Sequence, residues 1–510
     1  MSQDRAAARV SFGNPAAFRF SLQPAGQGLA RRRGVGLRFT PPGAATLLVL
    51  ACAVAALAAA AVDPGLFNDG DTWWHLATGD WMIRHRAVLH ADPFSYTAPG
   101  HPWVTHEWLS ELLMAPVQKA LGWAGLQLMF ALAVAALAGV MGAELRRKLP
   151  TISWVAALVM ALACTTQSWL ARPHLLALPI LAVWTVQLIR AREQDRLPPL
   201  WLLPMMTVWA NLHGSFLFGL GLLAPFGLEA VIEAKTDRVR VARGWALFMG
   251  AALLAALLTP HGIDGLLYPI KISSMKTLQN IKEWRSADFG SLGPLELSLV
   301  VALYALLSRG VRIPPIRLLM VLGLLHLALH EMRHEMVFAV VGVLLLAEPL
   351  GKALRPEGPP PARKLSARAQ GFALAGIAAA ALGVCAGRLL IPVTRIDGPT
   401  SPISALAHVP AALAAKPVLN EYGMGGYLIY KGVKPFIDGR SDMYGDAFFD
   451  AYSKAVQPDR AKLVALLARR HVAWTILDAN NAAVQVLDGL PGWKRLYADR
   501  YAVVHVRTGA

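Results

Sequence analysis

The densest chemistry in this chain lies at Asn68-Asp69-Gly70-Asp71-Thr72-Trp73-Trp74-His75, directly after the first membrane-length apolar run. Two carboxylates one residue apart, then a histidine, sit where the chain leaves that run, and charged groups at such a depth are costly to keep without a task. A carboxylate pair can take a proton from an attacking hydroxyl or hold a divalent cation. Asp71 is placed to cap a helix beginning at Thr72, and His75 follows one turn later on the same face. One cap needs only Asp71, which leaves Asp69 for chemistry. The competing reading is a capped helix lying in the membrane interface, held there by Trp73, Trp74 and Trp81.

The elements that must position these groups belong to a membrane. With 510 residues, 55% of them hydrophobic and 16% charged, and a mean hydropathy of +0.44, the composition excludes an ordinary soluble protein. Apolar runs of about 20 residues mark a polytopic helical membrane protein. They lie at 44–62, 124–143, 151–169, 174–190, 199–213, 215–233, 244–259, 293–308, 314–330, 334–349 and 371–392. Some of the intervening segments are basic, such as Arg146-Arg147-Lys148 and Arg309 to Arg317, while others are rich in His, Trp, Asp and Glu. The positive-inside rule assigns the first set to the cytoplasm and the second to the periplasm of a bacterial inner membrane. The net charge of +17 therefore sets topology and does not form a nucleic-acid groove. With 199–233 crossing twice around His213-Gly214, about eleven transmembrane helices result, the N-terminus cytoplasmic and the C-terminus periplasmic. Cys52, Cys164 and Cys385 all fall inside apolar runs, so neither a disulfide framework nor a paired-cysteine metal site is implied.

Residues 1–43 read as a disordered, basic cytoplasmic tail, too long to precede a cleaved signal peptide. Residues 44–392 form the transmembrane domain, with a first periplasmic loop at 63–123 and a solvated Pro-rich linker at 350–370. Residues 393–510 read as a small periplasmic α/β domain. Short strands are expected at 418–420, 435–437 and 473–477, a helix at 458–470 and a hairpin over 497–506.

More motifs follow the opening one. The first loop continues with Asp92-Pro93-Phe94-Ser95-Tyr96-Thr97 and Trp103-Val104-Thr105-His106-Glu107-Trp108-Leu109. Further on stand Arg172-Pro173-His174, Trp209-Ala210-Asn211-Leu212-His213-Gly214, Ile281-Lys282-Glu283-Trp284, Gly425-Gly426-Tyr427-Leu428 and Phe436-Ile437-Asp438-Gly439-Arg440. Over residues 44–507 this set resembles a bacterial family within the GT-C superfamily of membrane glycosyltransferases. The resemblance implies a GT-C-like many-helix fold that moves a sugar from a polyprenyl-phosphate donor to a lipid, glycan or protein acceptor on the outer face. The acidic motif of the first outer loop maps onto Asp69 and Asp71, with Asp71 preferred as the base and inversion as the outcome. A divalent cation, Mg or Mn, is left open; Asp69, Asp71 and His75 are its candidate ligands.

The departing polyprenyl phosphate implied by the resemblance needs cationic donors at the outer mouth. Arg172 with His174 and Arg333 with His334 fit, each pair lying between apolar runs; the competing reading has the arginines snorkelling to lipid headgroups. Glu107-Trp108 and Glu283-Trp284 each join an acid to a ring able to stack on a sugar, and His213 lies at an outer turn. Asp438 and Arg440 either close over the acceptor or form a local salt bridge in a turn.

One rival carries its own motif. His330-Glu331-Met332-Arg333-His334 matches HExxH, which on a helix would place His330 and His334 on one face for zinc and make Glu331 the base of an intramembrane metalloprotease. A catalytic zinc needs a third protein ligand, and the adjacent sequence offers none. A lipid or solute transporter is the other rival, but paired broken helices in corresponding repeats are missing.

Overall fold

The computed structural model describes residues 43–235, 237–354 and 365–509. The expected tail at 1–43 and the centre of the expected linker at 350–370 thus fall outside the described residues, apart from Gly43 and the linker's ends.

Each apolar run has become a helix. In chain order these are α1 (Ala44–Val62), α2 (Asp71–His85), α3 (Trp108–Lys148), α4 (Thr151–Thr165), α5 (Pro173–Glu193), α6 (Leu202–Leu212), α7 (Phe216–Glu233), α8 (Arg238–Ala256), α9 (Gly262–Ser273), α10 (Pro294–Ser308), α11 (Pro315–His330), α12 (Glu335–Leu354) and α13 (Ala367–Leu390). Among the described residues eight helices are long and apolar enough to cross a membrane: α1, α3, α4 with its 3-10 extension, α5, α7, α8, α12 with the turn before it, and α13. The remaining three runs form the shorter apolar helices α6, α10 and α11. The molecule is a polytopic α-helical membrane protein with a small C-terminal sheet domain.

The bundle is centred on α3, α5 and α12, which pack on one another, with α1 against α3 and α4 against α12. Trp154, Trp184, Trp209, Phe130 and Phe226 are fully buried in its core. By contrast α13 buries no residue and packs chiefly on α1 and α3, as expected of a helix facing lipid. Within α3 the backbone leaves helical geometry at Gly122 (φ 65°), six residues after Pro116. The 108–121 part is thereby a separate arm inside the expected first loop, and the apolar run at 124–143 is the span proper.

In the C-terminal domain four strands, β1 (Val418–Asn420), β2 (Trp474–Asp478), β3 (Trp493–Ala498) and β4 (Ala502–Arg507), form a sheet of order β1-β2-β4-β3. The β1–β2 pair is parallel and the other two pairs are antiparallel. Alternate residues feed separate cores: Leu419, Leu477 and Val503 on one face, Val418, Ile476 and Val504 on the other. The expected helix at 458–470 is Arg460–Arg469, and the hairpin turn is fixed by Asp499, whose carboxylate accepts from the N–H groups of Tyr501 and Ala502 at 2.7 and 2.8 Å.

The strand expected at 435–437 does not form. Those backbone groups are engaged elsewhere: Phe436 N donates to Asn420 Oδ1 at 2.7 Å, and the Phe436 carbonyl accepts from Thr97 Oγ1 at 2.6 Å. Tyr96 of the same first loop donates through its hydroxyl to the Val418 carbonyl at 2.9 Å. Period-2 apolar patterning here marks a buried connection onto which the first loop docks.

Candidate active site

The first loop and the start of α5 are tied together just below the acidic motif. Asp63 caps a 3-10 turn at Pro64–Phe67, and the N–H of Ala171 donates to the carbonyl of Leu66 at 2.8 Å. This sets Arg172, the N-cap residue of α5, opposite Asp69. Arg172 Nε donates to Asp69 Oδ2 at 2.7 Å and Nη2 to Asp69 Oδ1. Nη2 also lies 3.1 Å from Asp71 Oδ2, and Nη1 donates to Glu283 Oε1 and Oε2 at 3.2 and 3.0 Å. One guanidinium therefore holds three carboxylates from two segments, Asp69 and Asp71 of the first loop and Glu283.

The helix start differs from the expected one. α2 begins at Asp71, and its capping carboxylate is Asp69, which accepts from the Thr72 N–H at 3.2 Å and its hydroxyl at 3.3 Å. Asp71 makes no cap; it accepts from Trp74 Nε1 at 3.0 Å and keeps about a fifth of its side chain exposed to the cavity, whereas Asp69 is buried. Their ionisation diverges accordingly. Burial raises both carboxyls, but for Asp69 the charge and hydrogen bonds of Arg172 outweigh it and hold the group below its usual value. For Asp71 burial wins over its weaker share of Arg172, with Asp69 and Glu283 adding like charge, and the carboxyl is pushed up to about 7. A carboxylate poised near neutrality and open to the cavity is what proton removal from a hydroxyl requires.

Beside this group lies a second, acid–histidine cluster. His75 Nδ1 is 2.9 Å from Glu111 Oε1, and Glu107 approaches His213 Nε2 at 3.4 Å and His106 Nε2 at 3.6 Å. His213 Nδ1 accepts from the Ser215 N–H at 3.1 Å, so its proton sits on Nε2 and faces Glu107. Burial, opposed by the two arginines, pushes the Glu107 carboxyl up to about 8, and burial with neighbouring His174 holds His213 well below its ordinary value.

Both clusters line one cavity of about 1300 Å³. Its polar end also receives His174, Glu283, Trp284, Arg333 and His334, together with Trp103, Tyr268, Tyr422 and Asp442. Its other end is apolar, lined by Leu217, Phe218, Gly221, Leu222 and Pro225 of α7, by Met320, Gly323, Leu324 and Leu327 of α11, and by Val337 and Val341 of α12. Arg333 belongs to the same lining. Its guanidinium stacks on the Trp284 ring, 3.9 Å from the centroid, and it has neither an ion pair nor a side-chain hydrogen bond among the described residues. The C-terminal domain covers the polar end through Gly439, where any Cβ would run into the Asp71 carboxylate and the Trp74 indole nitrogen. Asp442 of the same domain accepts from the Tyr268 hydroxyl.

Most residues singled out from the sequence thus meet in one place: Asp69, Asp71, His75, Glu107, Arg172, His174, His213, Glu283, Trp284, Arg333 and His334. Three do not. Trp108 is turned away and donates through Nε1 to Asn211 Oδ1 at 2.7 Å, joining α3 to α6. Asp438 and Arg440 are fully buried: Arg440 donates to both Asp438 oxygens at 2.7 Å and to Asp92 Oδ1 at 2.7 Å, locking the first loop to the C-terminal domain. They cannot close over an acceptor from there.

Arg172 is likewise turned to carboxylates; Arg333 and Lys282 are the lysine and arginine side chains of the cavity lining without an ion pair among the described residues. The ligand set Asp69, Asp71 and His75 does not assemble, because Asp69 faces Arg172 and His75 faces Glu111. Among the described residues no group of three or more His, Cys, Asp or Glu side chains could hold a metal ion.

The HExxH reading fails on backbone geometry. α11 ends at His330, Glu331 is extended (φ −140°, ψ 122°), and Met332–His334 is a 3-10 turn, so the two histidines share no helix face. Sequence reasoning missed Asp442, Tyr268 and Tyr422; of these, Asp442 lies two residues beyond the Phe436–Arg440 motif, close enough to have been included.

The fold resembles that of solved archaeal oligosaccharyltransferases. The chain superposes on the archaeal oligosaccharyltransferase AglB from Archaeoglobus fulgidus, in complex with an inhibitory peptide and a dolichol-phosphate, with a TM-score of 0.53 and 11% identity over 85% of this chain and 69% of that one. The Archaeoglobus fulgidus oligosaccharyltransferase in its apo form gives a TM-score of 0.50 and 13% identity over the same shares. At such identities the likeness is one of fold. No protein-family model and no curated protein matches the sequence.

Proposed function

We propose that this protein is a GT-C-type glycosyltransferase of the bacterial inner membrane, taking its sugar from a polyprenyl phosphate. The observation that carries the reading is that one cavity joins an apolar lining from α7, α11 and α12 to Arg333, Trp284 and Asp71. The polyprenyl chain lies in this apolar groove, its phosphate meets Arg333 and the neighbouring His334, and its sugar enters the acidic chamber beside Trp284. The dolichol-phosphate of the structural neighbour supports a lipid-linked donor.

The acceptor is a lipid, an envelope glycan or a protein, delivered from the periplasmic side under the C-terminal domain. Its hydroxyl oxygen bonds to the anomeric carbon as the bond from that carbon to the phosphate oxygen breaks. The hydroxyl proton passes to Asp71, and polyprenyl phosphate leaves as an anion beside Arg333. Attack opposite the departing phosphate inverts the anomeric centre. Asp69 and Arg172 fix the position of Asp71.

Transfer of labelled sugar from a panel of polyprenyl-phosphate hexoses and pentoses, in membranes holding wild type or Asp71→Asn, tests this. Transfer by wild type and its loss in the variant are expected. Equal transfer by both sinks the assignment of the base, and a wild type inert toward every donor sinks the lipid-phosphate reading.

A further inference from the structure

We infer that Arg172 is a built-in replacement for a divalent cation: its guanidinium fills the space among Asp69, Asp71 and Glu283 that an ion would need, and the wild-type chamber takes none. The inference rests on the proposed transferase reading only for what the charge is for. The site itself stands on geometry. Three carboxylates, Asp69 and Asp71 of the first outer loop and Glu283 of the segment before α10, converge on one point, as ligands of a hard cation do. A guanidinium occupies that point. Both oxygens of Asp69 face Arg172, both oxygens of Glu283 face Nη1, and Asp71 Oδ2 faces Nη2. The last oxygen, Asp71 Oδ1, accepts from Trp74 Nε1. Every one of these oxygens already has a donor, and the point on which they converge is filled by the guanidinium.

The substitution has a chemical consequence. Arginine keeps its charge under burial and offers its N–H groups in a planar fork, so it pairs with the two innermost carboxylates at once without the exchange of ligands that a bound ion permits. Asp69 and Glu283 are held ionised by it, and Asp71, sharing only one edge, stays free to take a proton. Arg172 is thus a positioning residue for Asp71, and the site works at any free divalent-ion concentration.

Titration with Mn²⁺ alone, followed by electron paramagnetic resonance on the detergent-solubilised full chain, tests the inference without a glycosyl donor. Failure here therefore leaves the lipid reading untouched. Wild type is expected to bind no stoichiometric Mn²⁺. Arg172→Ala, which leaves three facing carboxylates around a void, is expected to gain one bound ion per chain, and the double variant with Asp69→Asn to lose it again. A wild type that binds one Mn²⁺ and loses it on Asp69→Asn overturns the inference, as does a folded Arg172→Ala that binds none. Should Arg172→Ala fail to fold, Arg172→Gln takes its place, keeping bulk and two donors but no charge. Arg172→Lys, which restores a cation, is expected to bind no Mn²⁺, an outcome that a purely structural role for the arginine would not require.

Discussion

At the scale of single residues, Asp69 and Asp71 show how two neighbouring carboxylates acquire different tasks. Asp69 is buried, caps α2 and is gripped by Arg172, whereas Asp71 takes one edge of the same guanidinium and faces the cavity. The sequence displayed both acids but not which of them caps, because that depends on Arg172, a hundred residues away and on another helix. As the proposed base, Asp71 must be deprotonated to act, and burial pushes its carboxyl up to about 7. The sign follows: kcat/KM rises with pH, about tenfold per unit below neutrality, and levels above it. Asp71→Asn is expected to lower kcat by roughly 10²–10⁴-fold and to abolish that acid limb. A pH–rate profile of both proteins checks this, and an unchanged limb in the variant would assign the titration to another group, Glu107 being the nearest candidate.

At the scale of elements, periodicity located the helices because lipid-facing and core-facing stretches are both long and apolar. It could not distinguish a straight span from an interrupted one. α3 turns at Gly122 and α11 stops at His330, and each interruption matters to the site: the first makes an arm that carries Glu107 and Glu111, the second ends the α11 wall of the groove and presents Arg333 in a turn. The break after His330 also separates the histidines of the HExxH pattern. Zinc measured on the purified protein is therefore expected to be the same in wild type and His330→Ala, with no stoichiometric content in either. One zinc per chain that vanishes in the variant would restore the metalloprotease. The α7 lining is regular by contrast, Leu217, Gly221 and Pro225 recurring every four residues along one face. That stripe stands in the sequence, but nothing local marks it as a groove and not as helix packing.

At the scale of the whole molecule, the polar chamber is completed by the C-terminal domain, which closes over the first loop. Arg440 is the clamp, buried between Asp438 of one and Asp92 of the other. The sequence placed all three in notable motifs and could not show that they meet, since the contact spans more than three hundred residues. Removing one member of such a buried set strands the remaining charges, so Arg440→Ala is expected to cost about 3–5 kcal/mol and lower the unfolding temperature. Differential scanning calorimetry checks it; a variant that melts with wild type would show the clamp to be dispensable. The central claim is that the groove and Arg333 together receive a polyprenyl phosphate, and thermal unfolding reads it directly. Wild type and Arg333→Ala are melted with polyprenyl phosphate and with uncharged polyprenol. A ligand that binds only the folded state at about 100 times its Kd stabilises it by about 2.7 kcal/mol. The account predicts a clear rise for wild type with the phosphate, little with the alcohol, and loss of the difference in Arg333→Ala. Equal shifts by charged and neutral lipid in wild type would contradict it.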